Sequence, residues 1–396
     1  MSDFIPYGRH CIEEDDIAAV VAVLRSDHLT GGPVVEEFET AFAKRVGARH
    51  AVAVSSGTAG LHLASLALGL GAGMLVIVPT LTFLATANAP TYTGAQVVFA
   101  DVDPNTGLMG PSELEEALDR AEGEVKAVYP VHLNGQASGM EAIKNICDSR
   151  GIRIVEDACH ALGGEYRTTD GQWHPVGSCQ HSDMAVFSMH PIKNIAMGEG
   201  GMVTTNDDQL CQTLRRLRNH GMIREPAEFQ HPEAGLDAAG EPNPWYYEMQ
   251  ELGYNYRASA IHCALGLSQL SKLDRFLAHR QTLAVAYDEA LAPLAPAVRP
   301  IPRPEHSRHA WHLYVVHIDF PALSKTRAQL MRHLHQAGIG TQVHYRPVHQ
   351  QTFYVSDKLS LTGADQFYDG CLTLPLHTGM GGSAVKGCIE AVSASI

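Results

Sequence analysis

No stretch of this chain runs 18 residues without a polar interruption, which argues against a transmembrane helix. Positive charge is also scarce: 29 Lys and Arg stand against 43 Asp and Glu, a formal charge of −14. A nucleic-acid-binding surface needs a basic excess, so that class is disfavoured. An anionic small substrate stays open, because backbone N–H groups and a few local cations suffice to hold it. The 8 cysteines include no CxxC pair. Their scatter reads as reduced thiols in a cytoplasmic protein. The 22 histidines show no HExxH or comparable spacing, so no metal is expected. The opening residues MSDFIPYGRH lack the basic-then-apolar order of a secretory signal. With 45% apolar and 18% charged residues, disorder is not expected either. A length of 396 residues is long for one core and suits two domains.

What is present is an alternation of strands and helices. Short apolar runs at 51–55, 74–78, 96–100, 127–131, 152–155, 184–187 and 202–204 read as strands. Helical patterns occupy 13–26, 34–46, 140–150 and 207–219, and a helix follows Ser56-Gly57-Thr58 through Leu68. Such alternation predicts an α/β domain around a largely parallel sheet. Residues 222–243 are polar and rich in Pro, Gly and Glu, the composition of a surface excursion. A long helical stretch is expected over 258–291, and the five prolines of 293–304 suggest a linker. Strand (313–318), helix (327–337) and strand (340–344) then suit a smaller α/β domain.

Three places carry candidate chemistry. Ser56-Gly57-Thr58 turns a strand into a helix, so free N–H groups there could hold a phosphate monoester; the same residues could be a plain helix cap. Asp157 ends an apolar strand, where α/β sheets bind ligands, although Ala158-Cys159-His160 could begin a helix that Asp157 merely caps. Lys193 follows a strand ending in Phe187-Ser188 and precedes Gly198-Glu199-Gly200-Gly201, a run suited to close approach of backbone to ligand. A solvated lysine is the ordinary alternative. Together the amine and the carboxylate have the layout a pyridoxal 5′-phosphate enzyme needs. The lysine holds the cofactor as a Schiff base and the aspartate keeps the pyridine nitrogen protonated. Phe83 could stack on that ring or be ordinary core. The glycines of Gly69-Leu70-Gly71-Ala72-Gly73 follow a helix and precede a strand, the reverse of a dinucleotide fingerprint.

Several blocks, in this order, resemble the DegT/DnrJ/EryC1/StrS sugar aminotransferases. They are LTGGP, SSGTAGLHLA, PTLTFLATAN, VEDACHALGGEY, FSMHPIKNIAMGEGGMVTTND, LRNHGM, LGYNYRASAIHCALGLSQL, HLYVVHID and VHYRPVH. The resemblance implies a fold-type I (aspartate aminotransferase-like) pyridoxal phosphate enzyme. It would have a large cofactor-binding domain over 1–270 and a smaller C-terminal α/β domain over 271–396. It implies Lys193 as the cofactor lysine, Asp157 at the pyridine nitrogen and His160 near the ring hydroxyl. Gly57, Thr58 and Ser188 would hold the phosphate, Phe83 would cover the ring, and Asn255 would reach in from the partner of a homodimer. Tyr7, His28, Leu29, Thr30, Gln342, Val343, His344 and Tyr345 would contact a nucleotide sugar. Among family members the chain looks most like those that aminate C4 of a UDP-linked 4-keto-6-deoxy-N-acetylhexosamine, with glutamate as donor, in pseudaminic acid biosynthesis. Residues 245–257 and 342–345 drive that choice. A different UDP- or dTDP-keto-sugar, of legionaminic or perosamine type, and a catalytically idle regulator on the same fold are the alternatives. Two positions depart from the family pattern: Gly31 stands where Gln is common, and Arg257-Ala258-Ser259-Ala260 lacks the usual acidic residue.

Overall fold

The computed structural model describes residues 4–356 and 359–396. Its central sheet has seven strands: β1 (His50–Val54), β2 (Leu75–Pro79), β3 (Gln96–Ala100), β4 (Val125–Val128), β5 (Arg153–Asp157), β6 (Met184–Ser188) and β7 (Gly201–Thr205). Their spatial order is β1-β7-β6-β5-β4-β2-β3. Alternate residues along the strands fall into two buried layers. Val52, Val76, Val78, Ala127, Val155, Val186 and Val203 belong to one. Ala53, Ile77, Val128, Ile154, Ala185 and Met202 belong to the other. A two-residue period that is apolar on both sides is what a sheet covered by helices on both faces requires.

The sheet is parallel except at β7, which runs antiparallel to both β6 and β1. Parallel neighbours need a crossover, usually helical. The link from Ser188 to Gly201 contains turns and no helix, so the chain can only double back. That link carries Lys193.

A second, antiparallel sheet joins Val298–Pro300, Tyr314–Ile318 and Cys371–Leu374. The helices Leu273–Leu291 and Arg327–Gln336 both pack on Gly382–Ser395. A separate apolar cluster, from Leu283 to Val392, fills the space between. The α/β architecture expected from the sequence, with a smaller C-terminal α/β part, is therefore present. Among the described residues no helix is long and apolar enough to cross a membrane.

Three local expectations need correction. The helical stretch over 258–291 is two helices, Ala260–Leu270 and Leu273–Leu291. They break at Ser271-Lys272, where the Lys272 ammonium is held by Glu13, Asp15 and Asp16. The proline-rich 293–304 segment is more than a linker, since Val298–Pro300 forms an edge strand; an edge is where a strand tolerates proline. Residues 340–344 form no strand. Only Gln342 bridges to Thr373, and the chain then leaves the sheet to line the cavity described below.

Phe187 immediately precedes Ser188 and is 1% exposed, edge-on to Phe42 at 5.1 Å. Phe187→Ala should destabilise the fold by about 3–5 kcal/mol, measured as a lower urea midpoint at unchanged slope. A loss under about 1 kcal/mol would contradict this packing.

Candidate active site

The carboxyl ends of β1, β2, β5 and β6 share one edge of the sheet, the edge at which α/β folds bind ligands. A cavity of ≈ 550 Å³ opens there. Tyr7, Gly57, Thr58, Phe83, Asp157, His160, Ser188, Lys193, Gln342, Val343, His344 and Tyr345 all line it. His28, Leu29, Thr30 and Asn255 do not. The 28–30 loop meets the start of the Ala260–Leu270 helix, where the Ala260 N–H donates to the Leu29 carbonyl and Thr30 bridges to Ser259, while Asn255 bridges to Asn219.

After β1 the chain enters the Gly57–Ala67 helix. Ser56 caps it, accepting the Ala59 N–H on Oγ at 3.1 Å. The cap and phosphate readings of this motif are compatible. Ser56 satisfies one orphan amide, and the first-turn amides of Gly57 and Thr58 have no intrahelical acceptor. The packing leaves no room for side chains here. A Cβ on Gly57 would lie 3.0 Å from Ser188 Cβ and 3.1 Å from Cys159 Sγ. A Cβ on Gly201 would lie 2.6 Å from the Ser56 carbonyl.

Asp157 is 5% exposed. Its Oδ2 accepts the Thr86 hydroxyl at 2.6 Å and its Oδ1 accepts the Cys159 N–H at 3.1 Å. Thr82 Oγ1 lies 2.7 Å from Thr86 Oγ1. The carboxylate is thus aimed by hydrogen bonds from two directions, as a buried charge requires. Behind it, on the same strand, Glu156 is tied to His132 Nε2 at 2.8 Å and to Ser182 Oγ at 2.5 Å.

His160 sits against an Asn134-Gly135 turn whose residues have φ of 62° and 101°, a conformation Asn and Gly tolerate. The turn points the Asn134 N–H at His160 Nδ1, 3.2 Å away. Nδ1 therefore accepts, the ring proton is on Nε2, and Nε2 donates to the Tyr345 hydroxyl at 3.1 Å. Burial, then the neighbouring Lys193 ammonium, hold the imidazole well below its ordinary value and hence neutral. His312, 3% exposed, lies against it with ring centroids 4.5 Å apart.

Lys193 lies on the cavity wall in a turn closed by its own N–H to the His190 carbonyl at 2.8 Å. The neighbouring Asn194 side chain anchors the loop, donating to the carbonyls of Leu162 and Ala310 at 3.0 and 2.7 Å. Burial pushes the Lys193 ammonium below its ordinary value, against the opposing pull of Cys159 and Asp157. The Cys159 thiol, also on the wall, is raised by burial and then by Asp157, so it stays protonated.

A phosphate-receptive helix start, a fixed carboxylate, a neutral imidazole and a reactive amine therefore surround one cavity. That donor set fits pyridoxal 5′-phosphate. Sequence reasoning missed Thr86, Cys159, Glu199 and His312. Thr86 was findable, one helical turn beyond Thr82 in PTLTFLATAN. His312 comes from a distant segment, and no local spacing points to it.

The description of the DegT/DnrJ/EryC1/StrS aminotransferase family matches residues 10–393. The spore coat polysaccharide biosynthesis protein SpsC of Bacillus subtilis (strain 168) is 38% identical over 394 residues, 98% of this chain and 96% of that protein. Helicobacter pylori PseC, an aminotransferase involved in the biosynthesis of pseudoaminic acid, superimposes with a TM-score of 0.87 at 28% identity, covering 99% of each chain. A putative sugar aminotransferase of Streptococcus pneumoniae, Spr1654, matches in its PMP form with a TM-score of 0.86 at 27% identity, over 99% of this chain and 98% of that one. Its PLP form matches with a TM-score of 0.85 at 26% identity, over 99% and 100%.

Because burial lowers the Lys193 pKa, its neutral amine should appear at lower pH than that of an exposed lysine, which titrates near ~10.4. In cofactor-free protein, acylation of Lys193 followed by peptide mass spectrometry should show a midpoint below that ordinary value. A midpoint at or above it would contradict the assignment.

These matches bear out the family and the pyridoxal phosphate cofactor expected from the sequence: the chain belongs to the DegT/DnrJ/EryC1/StrS aminotransferase family.

Proposed function

We propose that this protein moves an amino group from glutamate to C4 of a UDP-linked 4-keto-6-deoxy-N-acetylhexosamine, with pyridoxal 5′-phosphate as cofactor, in pseudaminic acid biosynthesis. The observation that carries the reading is the convergence of Lys193 and Asp157 on one cavity beside a helix start. The narrower choice of sugar is supported by the likeness to PseC over nearly all of both chains.

Gly57, Thr58 and Ser188 would hold the cofactor's phosphate, Asp157 its pyridine nitrogen, and Phe83 a face of its ring. His160, neutral and donating from Nε2, would meet the ring oxygen, and Lys193 the reactive carbon. When bound, the cofactor supplies an electron sink that makes a carbon–hydrogen bond next to the amine acidic. The Asp157 carboxylate favours a protonated pyridine nitrogen, which strengthens that sink. The Lys193 Nζ, its pKa lowered by burial, takes the Cα proton of glutamate as general base. In the second half of the cycle it returns a proton to C4 of the sugar as general acid. One amine acting from a fixed wall delivers the C4 proton to one face of the sugar and so sets the configuration of the amine. Tyr7, Gln342, Val343, His344 and Tyr345 would contact the sugar. The two halves share one site, so the kinetics are ping-pong.

The assembly is a homodimer with shared sites. Support comes from His28, Leu29, Thr30 and Asn255, none of which lines its own chain's cavity. An apolar hollow of ≈ 630 Å³ is lined by His28, Ala260 and Leu267 among others. Asn255 would complete the phosphate site of the partner.

A second reading rests on SpsC, which at 38% is more alike in sequence than PseC at 28%: the sugar is then a different keto-hexose on UDP or dTDP. Incubation with a panel of nucleotide-linked keto sugars and glutamate, followed by product mass and coupling constants, separates the two. The UDP-linked 4-keto-6-deoxy-N-acetylhexosamine should be aminated at C4 with the highest kcat/KM; a dTDP sugar ahead of it would overturn the narrower reading. Lys193→Ala should abolish amine formation, and normal turnover in that variant would remove its role. Asp157→Asn should slow the glutamate half-reaction by about 100-fold or more with the far-ultraviolet spectrum unchanged; a near-normal rate would mean another group protonates the ring.

A further inference from the structure

His312 has no task in the proposed reaction, yet its buried ring lies against His160, centroids 4.5 Å apart and planes tilted by 53°. The segment that carries it is clamped from two sides. On one side are the turn that holds His160 and the lysine loop. The Ala310 N–H donates to the Gly135 carbonyl at 2.9 Å, the Leu313 N–H to the Asn134 carbonyl at 3.2 Å, and the Asn194 side chain to the Ala310 carbonyl at 2.7 Å. On the other side is the Leu273–Leu291 helix. Its Arg280, 2% exposed, donates to the carbonyls of Trp311, His312 and Leu376 at 3.1, 3.2 and 2.8 Å. The backbone is therefore fixed on both sides of His312, and the ring meets His160 from a rigid mount.

His160 needs such a neighbour for two reasons. Its hydrogen bonds are at its two nitrogens, Nδ1 with the Asn134 N–H at 3.2 Å and Nε2 with the Tyr345 hydroxyl at 3.1 Å. The line through those nitrogens is an axis about which the ring can rock, and a rocking ring loses its aim. A packed neighbour limits that motion before any ligand arrives. The second reason is water. His312 Nδ1, Asn134 Oδ1 and Nδ2, and Asn194 Oδ1 are buried without a hydrogen-bond partner among the described residues. Polar atoms of this kind draw water into any space roomy enough for it. The His312 ring fills space beside His160. With that space hydrated, His160 would lose part of the desolvation that keeps it neutral.

We propose that His312 is a positioning residue for His160: its ring stops the imidazole from rocking and keeps water from it, so that Nε2 stays aimed at the cofactor's ring oxygen. His312 does not line the cavity, so it acts through His160. The titratable groups around His160 are His312, Tyr345, Lys193 and His344, with Asp157 and Cys159 just before it on the chain. The proposal rests on the reading of His160 as the group that meets the ring oxygen.

The test compares the native full-length chain with His312→Ala, which empties the space, and His312→Phe, which keeps a ring in it. Nuclear magnetic resonance of ring-carbon-labelled histidine, with the His160 signal assigned by its loss in His160→Asn, reads the protonation of His160 without cofactor. In the native protein and in His312→Phe this signal should not titrate near the ordinary histidine value of about 6.5. In His312→Ala its midpoint should rise toward that value, because water relieves the desolvation that lowers it. In the holoenzyme the pH midpoint of the cofactor's visible band should shift in His312→Ala and stay near the native one in His312→Phe. The kcat of His312→Ala should fall by up to about 100-fold with little change in the KM for glutamate, as expected when aim rather than binding is lost. If His312→Ala does not fold, His312→Asn, which leaves a smaller gap, carries the same predictions. A His160 signal and a visible-band midpoint that are native-like in the Ala or Asn variant would overturn the proposal. So would a Phe variant perturbed as strongly as the Ala variant. A native protein that glutamate cannot convert to the aminated form would instead overturn the proposed function.

Discussion

Residues 189–200 connect β6 to β7 across the carboxyl edge of the sheet without a helix, and this constrains the rest of the site. With no crossover, β7 must return antiparallel between β6 and β1. That placement brings Gly201 against the Ser56 carbonyl and so presses the phosphate-receptive turn against the lysine loop. Asn194 fastens the loop to the Leu162 and Ala310 carbonyls. An amine on a loop would normally sample many positions at an entropic cost of ordering. Here the neighbours of Lys193 have already been ordered by folding.

Burial then does different things to different groups. It lowers the ammonium of Lys193 and the imidazolium of His160 and raises the thiol of Cys159. All three are driven toward their neutral forms, as desolvation requires. Asp157 is the carboxylate among them, held by Thr86 and the Cys159 amide. Buried groups pushed toward neutrality around the oriented Asp157 carboxylate favour positive charge at one point on a bound ring. That is the electrostatic arrangement a protonated pyridine nitrogen needs. Tyr345 contributes through His160, and His344 is kept neutral as well, pushed down to about 3 by burial and then by Lys193.

The sheet and the chemistry were readable before the structure because both are written locally. Apolar runs of four or five residues mark strands, and Asp157, Ser188 and Lys193 stand at or just past strand ends. What escaped notice mostly depends on distant segments. His312 reaches His160 from a remote segment, and the strand expected over 340–344 is absent because only Gln342 bridges, to Thr373, before the chain turns into the cavity. The break at Ser271-Lys272 is likewise set from a distance, by Glu13, Asp15 and Asp16. Helical periodicity on either side of the break gives no sign of it. The direction of β7 could have been inferred, since the sequence between Ser188 and Gly201 has no helical pattern to carry a parallel crossover.

The central claim is that the Lys193 amine is the group that engages the cofactor. Borohydride reduction of the holoenzyme, followed by proteolysis and mass mapping, reads this directly. The account predicts that the added mass of the reduced cofactor lies on Lys193 alone. The same mass on another lysine, or on none, would contradict it.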